Sequence, residues 1–321
     1  MARKAPTART APKARSTNPK ARSTKRWLAR TGLALTLALT AAIPAQAAGT
    51  AGGQGAGTVT GATGGGGIND FSCRPSQAHP EPVVLLHGTF ATWYEDINFL
   101  QADLAARGYC TFATTYGEYP QFPLVGGLKP VAESNIEVKE YVEKVREETG
   151  AAQVSVVGHS EGGLQALYLA KMQNIQAHIK RVVAIAPPTH GTDAAGLVKL
   201  GDKVLGRGTL DKIVATLGIP VLSDEFPGGP AIKALNDGPV AQPGIDYTVI
   251  TSRYDEIVTP SETSFVREDG VTNQYVQDFC PLDPVGHIGE AYDPNVWHLV
   301  RNALDPAGAK PIKVCAVGSP G

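Results

Sequence analysis

"VSVVGHSEGGLQALYLA", Val154–Ala170, is the stretch that decides how the chain folds. A run rich in valine ends at Gly158. Ser160 follows, Gly162 closes the turn, and an apolar stretch with helical spacing begins. Gly158-His159-Ser160-Glu161-Gly162 fits the pattern G-x-S-x-G. The pentapeptide alone is weak, because glycine and serine are common. Its setting is more informative: a strand before and a helix after is the context of a nucleophile elbow, a sharp turn that lifts a serine hydroxyl above the carboxyl ends of a parallel sheet. The bland reading is a strand-to-helix turn that needs small residues. The sharper one requires a base, an acid and an oxyanion hole from the rest of the chain.

A serine hydroxyl is a poor nucleophile until a base takes its proton. In this type of fold the chain order is serine, acid, histidine. Of seven histidines, only His287 and His298 lie far enough along. His298 falls inside a predicted last helix, "DPNVWHLVRNALDP", with Asp293 as its N-cap and Pro294 at its first position. His287 lies in "DPVGHIGEAYD", bracketed by Gly286 and Gly289, and is the expected base. The acid should follow a strand. "DYTVITSRYDEIVTP" supplies Asp255, with Glu256 beside it pointing elsewhere. Asp283 sits too near His287 in the chain to approach from another loop and reads as a turn or cap residue.

One oxyanion N–H is expected from the residue after the nucleophile, Glu161. The second is expected from the loop "LLHGTFATW", with Thr89 as first choice and Phe90 as runner-up. His87 and His159 precede Ser160 and read as packing residues beneath the site. Phe90 and Trp93 are the expected acyl-binding residues near the mouth.

Around this centre, strand-like and helix-like segments alternate. "EPVVLLHG", "YCTFATTYG", "QVSVVGHS", "IKRVVAIAPP" and "GIDYTVITSRYD" read as strands. "YEDINFLQADLAARG" and "SNIEVKEYVEKVREETG" (Ser134–Gly150) read as helices. The alternation predicts an α/β fold with a mostly parallel sheet and helices on both faces. Gly191–Pro239 is too long for an ordinary connection. Leu197, Leu200, Val204 and Leu205 share one helical face, as do Leu210, Ile213, Val214 and Leu217. Two readings stay open there: two short helices packed on the core, or a cap over an apolar pocket, a lid if it moves.

The amino-terminal part is different in kind. The first thirty residues hold ten Lys or Arg and no acid, an apolar stretch spans Thr31–Ile43, and "PAQAA" offers an A-x-A site. This is the pattern of a secretory signal peptide, residues 1–47, cleaved after Ala47. The apolar stretch is shorter than the roughly 20 residues a membrane span needs. Residues 48–69 form a glycine-rich leader expected to be disordered, and 70–321 form the folded domain. Losing ten basic residues leaves 19 against 30 acidic ones, a formal charge of −11. That argues against nucleic acid or anionic membrane as a partner. Four cysteines in an exported chain suggest two disulfides. Of three connectivities, Cys73–Cys110 and Cys280–Cys315 are preferred because each joins chain neighbours and ties down one end of the domain. Without C-x-x-C spacing no cysteine zinc site is expected, and no acidic cluster has convincing calcium spacing, although Asp283 and Asp293 near the histidine loop could support a structural calcium.

"VVLLHGTF", "GHSEGG", "SRYDEIVTP" and "GHIGEAYDPNVW" together resemble the secreted bacterial triacylglycerol lipases of the class 2 lipase family. The likeness runs from about Cys73 to Leu304. It implies an α/β-hydrolase fold, carboxylic ester hydrolysis without a cofactor, and Ser160, Asp255 and His287 as the triad. Glu161 departs from the pattern, since many relatives carry His, Gln or Met beside the nucleophile. The leading expectation is an extracellular lipase acting as a monomer on lipid or another ester, at an oil–water interface. A cutinase-like polyesterase and a short-chain carboxylesterase are alternatives with the same triad. Acyltransferase and peptidase activities find no supporting feature. A non-catalytic binding protein of the same fold is the alternative from another class, and a phosphonate probe that labels Ser160 only in an enzyme separates the two.

Overall fold

A computed structural model describes residues 1–2 and 66–320. The expected signal segment beyond residue 2, and the leader up to residue 65, lie outside the described residues. Seven strands form one sheet: β1 (Gly67–Ile68), β2 (Val83–Leu86), β3 (Cys110–Ala113), β4 (Val154–His159), β5 (Ile179–Ile185), β6 (Asp246–Thr251) and β7 (Val271–Tyr275). Their order is β1-β3-β2-β4-β5-β6-β7, and every neighbouring pair is parallel. The helices are α1 (Trp93–Asp96), α2 (Asn98–Ala105), α3 (Val131–Thr149), α4 (Glu161–Met172), α5 (Leu197–Leu205), α6 (Arg207–Thr216), α7 (Val221–Glu225), α8 (Pro230–Leu235), α9 (His287–Glu290) and α10 (Pro294–Leu304).

The inner strands are near-continuous apolar runs because both faces of the sheet are covered. Along β2 the side chains alternate between two cores. Val84 and Leu86 join Phe112, Val138, Val142, Leu164 and Leu167 beneath α3 and α4. Val83 and Leu85 join Leu100, Leu104, Val296 and Leu299 beneath α2 and α10. The chain moves outward from β2 to β3 and then returns to place β4 on the other side of β2. Loops leaving β2 and β4 therefore diverge at the carboxyl edge, the place where α/β sheets form a crevice.

Several boundaries differ from expectation for identifiable reasons. Gly67–Ile68, placed in the leader by its glycine content, pairs with Cys110 and Thr111 as an edge strand. β7 reads VTNQY and is half-buried, so it lacks the apolar signal of an inner strand. α3 begins at Val131 rather than Ser134, directly after Pro130, and ends on Gly150 at φ 71°, the left-handed position that favours glycine. Residues 191–239 hold four helices, not two. α7 and α8 are short, with Pro220 before one and Pro230 opening the other, so they lack a readable helical period. They are fixed by tertiary contacts instead: Asp224 accepts from the N–H groups of Val131 and Ala231. α5 and α6 turn Leu197, Leu200, Val204, Leu205, Ile213 and Leu217 outward, while Val198, Val214 and Phe226 form a small core of their own.

Both disulfides join the expected partners, Cys73–Cys110 and Cys280–Cys315. The second ties the carboxyl-terminal tail, 35 residues beyond Cys280, onto the His287 loop. There Ser319 accepts from the Gly286 N–H at 2.9 Å, and Gly318 donates to Asp283 at 2.9 Å. Cross-linking a loop of this length stabilises by about 3–4 kcal/mol in the chain-entropy description. Replacing Cys280 and Cys315 together by serine is expected to lower the denaturant midpoint by a corresponding amount. An unchanged midpoint would show that the tail holds without its cross-link.

Candidate active site

The turn at Ser160 is strained. Ser160 has φ 56° and ψ −122°, a conformation that costs a non-glycine residue about 1–3 kcal/mol. Its N–H is held by the Ile185 carbonyl at 2.8 Å. A Cβ at Gly158 would overlap the Gly162 carbonyl, and one at Gly162 would overlap that of Leu86. The two glycines are therefore steric necessities: strand and helix pass within backbone contact of each other.

The structure brings Ser160, His287 and Asp255 together from three separate loops. His287 Nε2 lies 2.8 Å from Ser160 Oγ, and His287 Nδ1 lies 2.8 Å from Asp255 Oδ2. Asp255 is buried at the end of the loop after β6 and accepts from the N–H groups of Ile257 and Val258 through Oδ1. That fixes the carboxylate and leaves Oδ2 for the imidazole. The ring then carries its proton on Nδ1 and presents a basic Nε2 to the serine, the tautomer a general base needs. Glu256 does not reach the ring; it accepts from the His287 backbone N–H at 3.1 Å. His298 is bonded to the Lys310 carbonyl, away from this centre.

The expected oxyanion donors are the N–H groups of Thr89 and Glu161. Neither has an acceptor among the described residues; Glu161 directly follows the serine, and Thr89 follows Gly88, where a Cβ would lie 3.1 Å from Ser160 Cβ. The Phe90 N–H donates to the Gly126 carbonyl at 3.1 Å, so the runner-up is already occupied and Thr89 remains. Phe90 itself, at φ 66°, exposes its ring. Trp93, expected near the mouth, packs half-buried against the core beneath α2, and its indole meets Tyr94 edge-on. The exposed rings of this stretch are Phe90 and Tyr94.

Two features lay outside the reach of sequence reasoning. His159 is a packing residue in the expected place, but it is also half of a buried ion pair. Its Nδ1 faces Asp96 at 3.0 Å and its Nε2 faces the His287 carbonyl at 3.0 Å. Both ring nitrogens meet acceptors, so the ring donates twice and is an imidazolium. Burial opposes that charge, yet the Asp96 carboxylate outweighs it and raises the His159 pKa. Asp96 is likewise opposed by burial and held low by His159, while it also accepts from the Gly88 N–H at 2.7 Å. One pair thus ties the oxyanion loop, the elbow and the His287 loop. His87 is neutral by contrast: burial lowers its pKa, Nδ1 donates to the Gly88 carbonyl, and Nε2 accepts from the Tyr116 N–H. The second feature is a set of buried glutamates. Burial pushes Glu161 up to about 7. Burial, then the charge of Glu161, pushes Glu225 well above its ordinary value. Burial and the charge of Asp255 do the same to Glu290, whose Oε1 accepts from the Ser252 N–H.

Comparisons with known proteins agree with the architecture. A family described as alpha/beta hydrolase fold matches residues 81–210. No curated protein matches the chain. Among solved structures, lipase B of Aspergillus fumigatus is similar at 21% identity over 77% of this chain, with a TM-score of 0.54; the chain spans 56% of that protein's length. A lipase of Bacillus licheniformis in its mature form shows 16% identity over 63% of this chain and 86% of its own, with a TM-score of 0.44. A 2-hydroxy-6-oxo-6-phenylhexa-2,4-dienoate hydrolase of Rhodococcus shows 18% identity over 70% and 91%, with a TM-score of 0.44. The chain has the α/β-hydrolase fold, and lipases stand among its structural neighbours.

Proposed function

We propose that this protein is an exported serine hydrolase of carboxylic esters, and within that class a triacylglycerol lipase similar to the secreted class 2 lipases. The observation that carries the reading is the hydrogen-bonded line from Asp255 through His287 to Ser160, ending at a hydroxyl beside two unused N–H groups. Ser160 Oγ attacks the ester carbonyl as His287 Nε2 takes its proton. The tetrahedral oxyanion is held by the N–H groups of Thr89 and Glu161. The carbonyl re-forms, His287 gives its proton to the leaving alkoxide, and the alcohol departs. Water, deprotonated by His287, then attacks the acyl-enzyme, and the acid is released as Ser160 regains its proton. No cofactor is needed for this cycle.

The lipase assignment rests on the exposed Leu197, Leu200, Val204 and Leu205 of α5 and Ile213 of α6, an apolar face suited to an oil–water boundary, with Phe90 exposed on the oxyanion loop. Export is supported by the basic and apolar amino-terminal segment and by two disulfides. No helix among the described residues is long and apolar enough to cross a membrane. The test is the initial rate on p-nitrophenyl esters from two to sixteen carbons, together with emulsified triacylglycerol. A maximum at long chains and a rate that climbs once substrate exceeds its solubility supports the lipase. A short-chain maximum without that climb reassigns the protein as an esterase or polyesterase. Absence of hydrolysis, with Ser160 unlabelled by a phosphonate, removes the enzyme reading.

A further inference from the structure

Two carboxyl groups lie beneath the oxyanion loop with no role in the cycle above. Glu161 is the first residue of α4, and its side chain turns inward, fully buried. Its Oε1 accepts from Gln165 Nε2 at 3.1 Å, and Gln165 is anchored in turn by Asn135 at 2.7 Å. Its Oε2 is buried beneath Gly127 and the Thr89 backbone; a Cβ at Gly127 would overlap it. Glu225 arrives from the opposite side, at the end of α7 in the helical segment after β5. Its two oxygens face Thr89 Oγ1 at 3.3 and 3.5 Å, and its carbonyl accepts from the Thr192 N–H.

The surroundings supply no compensating charge. Asp224 lies beside both glutamates and adds to the negative potential, with Glu133 and Tyr168 beyond it. Tyr116 faces them from the loop after β3, its hydroxyl donating to the His87 carbonyl, and His87 is neutral. No ion pair among the described residues includes Glu161, Asp224 or Glu225. The Thr89 hydroxyl has one proton to give, and Gln165 serves only Glu161. Two ionised carboxylates in such a place would lack donors and repel each other.

We propose that Glu161 and Glu225 hold at least one proton between them across Thr89, and that Glu225 is a positioning residue that sets the oxyanion loop from the helical segment. The inference rests on the ester-hydrolase reading. While the proton is held, Thr89 is braced and at most one negative charge lies below the hole. Once it is lost, a second charge sits under the two N–H groups that must receive the developing oxyanion. At an effective dielectric of about 20, a second unit charge within several ångströms opposes the oxyanion by on the order of 100-fold in rate. It falls on kcat more than on KM, because the oxyanion exists only in the transition state.

The experiment is a pH profile of kcat and KM on a soluble ester for the full chain, Glu225→Gln, Glu161→Gln and Glu225→Ala. The native protein is expected to lose kcat on the alkaline side. Each glutamine variant is expected to move that limb up by a pH unit or more, with KM little changed. Glu225→Ala is expected to lose about tenfold or more in kcat at every pH, and glutamine to recover most of it. A residue that only packs would leave the alkaline limb in place, and an alkaline limb that neither glutamine variant shifts from its native position overturns the proposal. Thermal unfolding against pH gives a readout independent of turnover. A carboxyl whose pKa is raised by folding, here about 7 against 4.5, gives stability that is full below pH 4.5 and lost as pH climbs through 7. Glu161→Gln should flatten that decline; an unflattened decline also overturns the proposal. If the native protein hydrolyses no ester and Ser160 resists a phosphonate, the failure is of the hydrolase reading, and the unfolding profile still decides the shared proton.

Discussion

Ser160→Ala is expected to lower the rate of ester hydrolysis by about 10⁶-fold, and His287→Ala by a comparable amount. The double replacement is expected to be no worse than either alone. In the proposed cycle the serine and histidine act as one unit across their 2.8 Å hydrogen bond, so removing either would end nucleophilic attack. What survives is the catalysis the oxyanion donors give to attack by water, about 10³-fold over the uncatalysed reaction. Asp255→Asn should fall by about 10⁴-fold with little change in structure. An amide cannot both accept from Nδ1–H at Oδ2 and keep the N–H bonds of Ile257 and Val258 at Oδ1, so the imidazole loses the tautomer it needs. The check is kcat/KM on a soluble ester beside circular dichroism of each variant. A Ser160→Ala protein that keeps even a tenth of native activity would place the nucleophile elsewhere.

Gly158→Ala is expected to cost the fold more than about 3 kcal/mol, or to leave the protein insoluble. The new methyl group would meet backbone, the carbonyl of Gly162 and the N–H of Gly163, rather than a side chain that can swing away. Neither partner can retreat. β4 is hydrogen-bonded between β2 and β5, and Gly162 already lies against the Leu86 carbonyl. Gly150 is the proper control. It caps α3 at φ 71° with open space around it, so alanine there meets only the left-handed penalty of about 1 kcal/mol. Denaturant midpoints of the two variants measure the difference. Equal midpoints would mean that the elbow yields where its backbone contacts say it cannot.

The candidate triad was legible because each member sits at the end of a recognisable element. A valine-rich strand runs into a glycine-flanked serine, an apolar strand ends near Asp255, and glycines bracket His287. Local chemistry carried those positions: β-branched runs choose strands, and glycine is the residue that survives a close backbone approach. The disulfide partners followed from the same economy, since chain neighbours at each end of a sheet are near in space. Residues that act across distance left no local trace. His159 and Asp96 are 63 positions apart, and Thr89 and Glu225 are 136 apart. Nothing in the identity of an aspartate or a glutamate says which loop will fold over it. α7 and α8 are helices by virtue of the contacts that bury them, and β7 is a strand because β6 offers it an edge. The sequence by itself therefore determined the five inner strands, the turn at Ser160 and the chain order of the candidate serine, acid and base, all consequences of short-range sterics and periodicity. Tertiary structure alone decided which charges are buried together and which N–H groups stay unused, because burial and pairing belong to residues that meet only after the chain has folded.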